Sequence, residues 1–428
     1  IFVACLPTGR NAVMSALEAP LLVSRICSEW RAIALTTPSL WDSLHVPADF
    51  ILKRPEQRIP AIPRWLQLSG ALPLSLSFEF LDTSRPRTFE DFETLCVLID
   101  RLVESTSRWE RIVFRNFATT VPSGFANAEA SLLKSFTGEG VTISVLRQLD
   151  GLLRTSSLRT LILHMDTLQP ALGASSLLDL PCHWANLTHI TLKPSQSHGG
   201  LPPGGVVTLL ERCPWLVSFH VKANDTQNWD QYARPKQIPL PSLESLILFE
   251  PQALDLQSVI HLLDALCAPK LHQLHIPTNP LLAELHRWQC QFMLNLGTPS
   301  PLEDLLISLP SYTASMILET LGFLSNLTTL AILTRTEWGW GWGPGPVSND
   351  KIESCSPERL LELLTPSPRM GICLSCRVSS SANVVPSSEK RWNSLFGDGL
   401  IFKSGSDAWL FSVMGRTGSC RRSSRLTR

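Results

Sequence analysis

Leu187-Thr188-His189-Ile190-Thr191-Leu192 sets an apolar residue, two spacers, a second apolar residue, one spacer and a third. The same phrase returns along most of the chain. It stands as Leu158-x-x-Leu161-x-Leu163, Leu216-x-x-Phe219-x-Val221 and Leu243-x-x-Leu246-x-Leu248. It continues as Leu271-x-x-Leu274-x-Ile276, Leu302-x-x-Leu305-x-Ile307 and Leu327-x-x-Leu330-x-Ile332. From Leu158 onward the first positions step by 29, 29, 27, 28, 31 and 25 residues. An earlier copy, Trp109-x-x-Ile112-x-Phe114, lies 49 residues before Leu158, across what reads as a long insertion. The alternation that ends each phrase predicts a short strand with one buried face. Helical patterning fills 91–104, 206–212, 256–267, 281–294 and 315–324. One strand and one helix cannot bury an apolar face alone, so stepped copies predict stacked neighbours: an α/β repeat solenoid.

The step lies near the range of leucine-rich repeats, although the Asn expected after each strand is missing. An irregular, leucine-rich-repeat-like horseshoe over residues 108–365 is therefore expected. Asn186-Leu187-Thr188 and Asn326-Leu327-Thr328 fit a glycan sequon but both begin repeat strands. If the strands line an inner surface, the residues between buried positions face a partner. His189, Thr191, Lys193, His220, Lys222, Gln273 and His275 are the candidates, with His164, Ser245 and Asp304 on the same face. Ile247 and Phe249 interrupt the histidines, so no metal site is expected, since zinc needs its ligands converging within about 2.1 Å. Cys373-Leu374-Ser375-Cys376 is a lone pair without a second half-site. No phosphate-cradling glycine loop and no G-x-S-x-G elbow occurs. The expectation is a binding protein, not an enzyme, without cofactors.

Ahead of the repeats, residues 19–35 read as one amphipathic helix: Leu22, Ile26, Trp30 and Ile33 are spaced by four, four and three. Thr36-Thr37-Pro38 ends it, and Pro38-Ser39-Leu40-Trp41 begins another. Ile1-Phe2-x-x-Cys5-Leu6-Pro7, then Val23-x-x-Ile26-Cys27-x-x-Trp30-Arg31-x-Ile33-Ala34, then Thr37-Pro38-x-Leu40-Trp41, resembles the F-box motif, in the form expanded in mushroom-forming fungi. The resemblance implies a small all-α module that docks on the Skp-type adaptor of a cullin–RING ubiquitin ligase. It implies that Ile1, Phe2, Leu6 and Pro7 belong to a first helix, Leu22, Val23, Ile26, Cys27 and Trp30 to a second, and Leu40 and Trp41 to a third. The Leu-Pro-x-Glu stretch usual before the Ile-Phe pair is missing, so a truncated F-box is expected.

Composition narrows the alternatives. Lys plus Arg and Asp plus Glu are both 37, so overall charge offers nothing to a nucleic acid or an acidic membrane. Hydrophobic residues make 44% and charged ones 17%, as in a packed chain. Ile1-Phe2-Val3 gives no secretion leader, and 11 scattered Cys read as reduced thiols. A cytoplasmic or nuclear location follows. Trp338-Gly339-Trp340-Gly341-Trp342-Gly343-Pro344-Gly345-Pro346 reads as a loop. After the helical pattern at 357–364 no further strand of the repeat is found. Residues 366–428 hold 14 Ser and ten basic against three acidic residues, and are expected to be disordered or the product of a misread gene. The expected organisation is 1–46 truncated F-box, 47–107 connecting segment, 108–365 solenoid and 366–428 tail. The expected function is recruitment of a protein substrate to a Skp–cullin-type ligase, with a repeat-based scaffold free of any ligase as the alternative.

Overall fold

The structure, a computed structural model, describes residues 1–80, 88–117, 121–165, 177–194, 200–222, 237–249, 262–276, 292, 296, 300–308, 324, 326–333, 399–405 and 408–414. The chain forms two compact units, Ile1–Gly200 and Leu201–Arg428. Both are α/β.

In the first unit six strands run parallel and pair in chain order: β1 (Ser43–Pro47), β2 (Leu74–Glu79), β3 (Trp109–Arg115), β4 (Ser135–Glu139), β5 (Thr160–Met165) and β6 (His189–Pro194). Their register aligns Leu44, Leu76, Ile112, Phe136, Leu161 and Ile190 in one row. Val46, Phe78, Phe114, Gly138, Leu163 and Leu192 form a second row, two residues on. Every side chain in both rows is at most 2% exposed. Each such burial stabilises the unit by roughly 1.5–3 kcal/mol, which makes a one-residue slip of register prohibitive.

Gly138 is the exception in the rows, and space explains it. A Cβ there would stand 2.7 Å from Val141 Cγ2 and 3.3 Å from Leu163 Cδ2. This glycine hides a repeat copy. Leu133-x-x-Phe136-x-Gly138 breaks the apolar phrase at its last position, so the supposed insertion between Trp109 and Leu158 contains β4. The series also begins earlier than residue 108. Trp41-x-x-Leu44-x-Val46 is a full copy forming β1, and β2 lies inside the segment read as a connection.

α1 (Ser28–Leu35) precedes β1, and between the strands stand α2 (Ala48–Leu52), α3 (Pro55–Arg58), α4 (Ala61–Leu68), α5 (Phe89–Val103), α6 (Ser123–Ala126), α7 (Ile143–Gln148) and α8 (Asp150–Leu153). The pattern at 91–104 is thus realised as α5. Its start is fixed by a capping box, in which Thr88 Oγ1 accepts from the Asp91 amide and Asp91 Oδ2 accepts from the Thr88 amide. Leu95, Leu98, Ile99 and Leu102 form its buried stripe. Phe125 of α6 packs edge-on against Phe78 and Phe114, so helices cover the apolar rows.

Residues 19–35 do not form the single helix expected of them. Val23–Arg25 is a 3-10 turn, and Cys27 is extended (φ −152, ψ 173). Its Sγ accepts from the Trp30 amide at 3.5 Å, which starts a fresh helix at Ser28. The apolar spacing was real, but an extended residue interrupts the i to i−4 ladder that a continuous helix needs.

In the second unit α9 (Pro203–Arg212) precedes β7 (Ser218–Lys222), β8 (Ile238–Pro239), β9 (Ser245–Phe249), β10 (Leu266–Cys267), β11 (Gln273–Ile276), β12 (Asp304–Ser308) and β13 (Thr329–Leu333). Strands β7, β9, β11, β12 and β13 are parallel neighbours in that order. Phe219, Leu246, Leu274 and Leu305 form their buried row. β8 and β10 pair with each other, so Leu266–Cys267 is strand where the helical pattern of 256–267 was expected to end. The expected helices at 281–294 and 315–324, apart from residues 292 and 324, lie outside the described residues, as do the helix at 357–364, the Trp-Gly loop at 338–346, and Cys373 with Cys376. Within 366–428, where no strand was expected, β14 (Gly399–Gly405) and β15 (Ala408–Met414) form an antiparallel hairpin beside β13.

Candidate partner surfaces

The F-box-like residues part into two sets. Val23, Leu40 and Trp41 lie in the unit's own core, at 4%, 0% and 2% exposure. Trp41 Nε1 donates to the Ala34 carbonyl at 2.8 Å, and its ring meets Trp65 edge-on at 4.9 Å. Trp41 also opens the phrase that becomes β1. Its residue type and place are explained by the sheet, and in this conformation it is out of reach of any partner. The same holds for Leu40 and Val23.

The other set is outward. Ile1, Leu22, Ile26, Cys27 and Trp30 are exposed, as is Ile33 beside them, and Phe2, Leu6 and Pro7 are half-buried. Phe2 and Trp30 rings stand 5.0 Å apart at 50°, so the first turn (Phe2–Cys5) is held against α1 by an aromatic contact. Thr36 and Thr37 hydroxyls donate back to the Ala32 and Ile33 carbonyls, and Trp41 binds Ala34. The threonine bonds close the last turn of α1, and the Trp41 bond ties that turn to the residues leading into β1, while Trp30 and Ile33 stay uncovered.

The sheet face of the second unit holds a connected polar network. Ser218, Ser245, Gln273 and Asp304 share one register row across β7, β9, β11 and β12. His220 Nε2 lies 3.0 Å from Ser218 Oγ and 3.2 Å from Ser245 Oγ. Ser245 Oγ donates to Gln273 Oε1 at 2.7 Å, and Gln273 Nε2 donates to Asp304 Oδ2 at 2.8 Å. His275 Nε2 lies 3.1 Å from the same carboxylate oxygen. A hydroxyl has one proton, and Ser245 spends it on Gln273, so the His220–Ser245 bond requires the proton on His220 Nε2. An ionised Asp304 only accepts, so His275 also carries its proton on Nε2. The bonds therefore converge on Asp304. With Nε2 protonated, His220 cannot take the Ser245 proton, and the geometry is that of a positioning network rather than of an activated nucleophile.

The candidates on this face differ in access. Gln273 and His220 are half-buried, whereas Lys222 and His275 are 4% and 2% exposed and so cannot meet a partner as expected. The register puts His275 beside Leu306, also buried, and the bond to Asp304 satisfies its Nε2 in that setting. In the first unit His189 is exposed, and Thr191 and Lys193 are half-buried. They continue the rows of Thr160, Ile162 and His164 on β5. On the same face Arg115 pairs with Glu139 at 2.9 Å and His45 with Glu79 at 3.3 Å. The sequence reading missed Ser218. Aligning the third position of each phrase, which is polar in Ser135, Thr160, His189, Ser218, Ser245, Gln273, Asp304 and Thr329, would have found it.

No group of three or more His, Cys, Asp or Glu that could hold a metal occurs among the described residues, and no described helix is long and apolar enough to cross a membrane. No protein-family model matches the chain, and no curated protein matches it.

Proposed function

We propose that this chain is a substrate-recruiting F-box subunit of a Skp–cullin-type ubiquitin ligase, acting in the cytoplasm or nucleus. The observation that carries the reading is the uncovered apolar surface of Leu22, Ile26, Trp30 and Ile33, at 43%, 56%, 37% and 43% exposure, on a module tied to the sheet. Large apolar side chains left open on a folded unit mark an interaction site, and Trp is a typical energetic anchor. The adaptor covers this surface. The body, an irregular leucine-rich-repeat-like solenoid, offers a protein substrate polar sheet positions, His189, Thr191 and Lys193 in the first unit and His220 and Gln273 in the second. Stepped phrases, parallel strands in chain order and intervening helices support that description of the body.

The test is co-purification of the full chain with a Skp-type adaptor. Recovery is expected, with loss of at least about tenfold in affinity when Ile26 and Trp30 are both changed to Ala, the usual weight of anchor residues. An adaptor that is not retained by the unaltered, folded chain refutes the proposal. Burial of Val23, Leu40 and Trp41 favours a second reading, a repeat-based scaffold without a ligase. In that case the chain captures its partner through the sheet face and leaves the adaptor behind.

A further inference from the structure

The first unit contains a cavity of about 640 Å³ that lies apart from both surfaces. Leu17, Leu21, Arg31 and Leu35 line it from the N-terminal module. Phe50, Arg58, Ala61, Arg64, Trp65 and Leu68 line it from α2, α3 and α4. Its volume falls in the range of small-molecule sites. On α1 the residues facing it, Arg31 and Leu35, are not Trp30 and Ile33, which belong to the open apolar surface.

The charge balance is one-sided. Three arginines border the cavity, and no Asp or Glu is among its lining residues. The Arg31 guanidinium makes no hydrogen bond or ion pair with the described residues, and that of Arg64 donates only to the neutral Gln67 Oε1 at 2.7 Å. Arg58 lies over the Phe50 ring, 3.5 Å from its centroid, and its Nη1 is buried without a hydrogen-bond partner. Burial lowers the Arg58 pKa, and Arg54 adds to this while Glu56 opposes it without forming an ion pair. Trp65 is 3% exposed, and its Nε1 likewise has no partner. Two buried donors left without a partner are unfavourable, and an acceptor in the cavity relieves both. Ser15, Ser24 and Gln57 add neutral polar groups, and the rest of the lining is apolar and aromatic.

We infer that this cavity binds a small organic acid, its anionic group held by Arg58 with Arg31 and the Trp65 Nε1–H, and its apolar body lodged among Leu17, Leu21, Leu35 and Phe50. A neutral alcohol can accept a hydrogen bond but brings no negative charge to the guanidinium groups, and an amine meets three like charges. Inorganic phosphate has the charge without the body. The inference does not rest on ligase membership.

Isothermal titration calorimetry of the full chain tests it, with octanoate as probe and octan-1-ol, octylamine and inorganic phosphate as comparisons. Saturable one-to-one binding of octanoate is expected, at least about tenfold tighter than any of the three, as befits a charge-assisted hydrogen bond in a partly desolvated site. Arg58→Gln should weaken octanoate by about tenfold and leave octan-1-ol unchanged. Arg31→Gln, at an exposed helix position that leaves folding intact, should shift octanoate in the same direction by a smaller factor. The inference is overturned if octanoate does not bind, or if octan-1-ol, octylamine or phosphate binds as well. It is equally overturned if octanoate affinity is the same in the folded Arg31→Gln and unaltered chains.

Discussion

Two tryptophans eleven residues apart have opposite jobs, and substitution separates them. Trp41 is 2% exposed, packs edge-on with Trp65 at 4.9 Å, and donates to the Ala34 carbonyl at 2.8 Å. Trp41→Ala removes the ring, its aromatic pair and the hydrogen bond. Truncating a buried aromatic to Ala costs about 3–5 kcal/mol, within which the ring pair accounts for about 0.5–1.5 and the hydrogen bond for about 1. Ala34 keeps a second donor, the Thr37 amide at 3.4 Å, so its carbonyl is not stranded and the lower half of the range applies. Trp41→Phe keeps most of the ring and should cost about 1–2 kcal/mol. Trp30, at 37% exposure, loses little more than its contact with Phe2, and Trp30→Ala should cost about 1 kcal/mol or less. Urea unfolding followed by far-UV circular dichroism measures the three midpoints. The order Trp41→Ala, then Trp41→Phe, then Trp30→Ala is expected. If Trp41→Ala falls within about 1 kcal/mol of the unaltered chain, or no lower than Trp30→Ala, Trp41 is not the core residue argued here.

Gly138→Ala forces a Cβ to 2.7 Å from Val141 Cγ2 and should lower the free energy of unfolding by about 1–3 kcal/mol, with an unchanged value counting against the tight second row. His45 is held below its ordinary 6.5 mainly by burial, with Arg115 and Arg10 adding to the effect and Glu79 and Ser77 opposing it. A depressed His binds its proton more readily when unfolded, so stability is full above about pH 6.5 and falls as pH drops below it. Thermal unfolding at about pH 7.5 and about pH 5.5 should show that loss, and His45→Gln should shrink it. Burial pushes the Cys213 thiol up to about 12, whereas Cys5 and Cys27 are exposed. Brief treatment with iodoacetamide at neutral pH should label the latter two and spare Cys213 until the chain unfolds, as peptide mass spectrometry can check.

The parallel strands were legible because each copy leaves a fixed apolar phrase, and the physics behind it is local. The third-to-last and last positions of each phrase sit on one face of its strand, whatever the helix between. The lost copies fail for identifiable reasons. β4 ends on Gly138, where packing against Val141 and Leu163 leaves no room for a side chain, so the phrase loses its last apolar member. β1 carries a complete phrase, but its Trp41 also completes the F-box-like string Thr37-Pro38-x-Leu40-Trp41, and one residue was given one meaning. Residues 19–35 show the converse error. Their four-four-three spacing is genuine, yet periodicity reports which side chains share a face and says nothing of an extended residue such as Cys27 between them.

The sheet-face candidates were placed on the right strands but not in the right relation. Sequence position gives the face of a side chain and leaves its burial open, because burial depends on what lies beyond the strand. Lys222 and His275 carry polar groups on the outward rows and are nevertheless enclosed. The interruption by Ile247 was read as separating the histidines. In the register it does stand between His220 and His275, yet the neighbouring row of Ser245, Gln273 and Asp304 carries hydrogen bonds around it. Coupling on a parallel sheet therefore runs across equivalent positions of successive repeats rather than along any one strand. A substitution at Gln273 leaves Ser245 without its acceptor and Asp304 without one donor, so its effect must reach His220 two strands away, whereas a substitution at Ile247 removes no bond of the network.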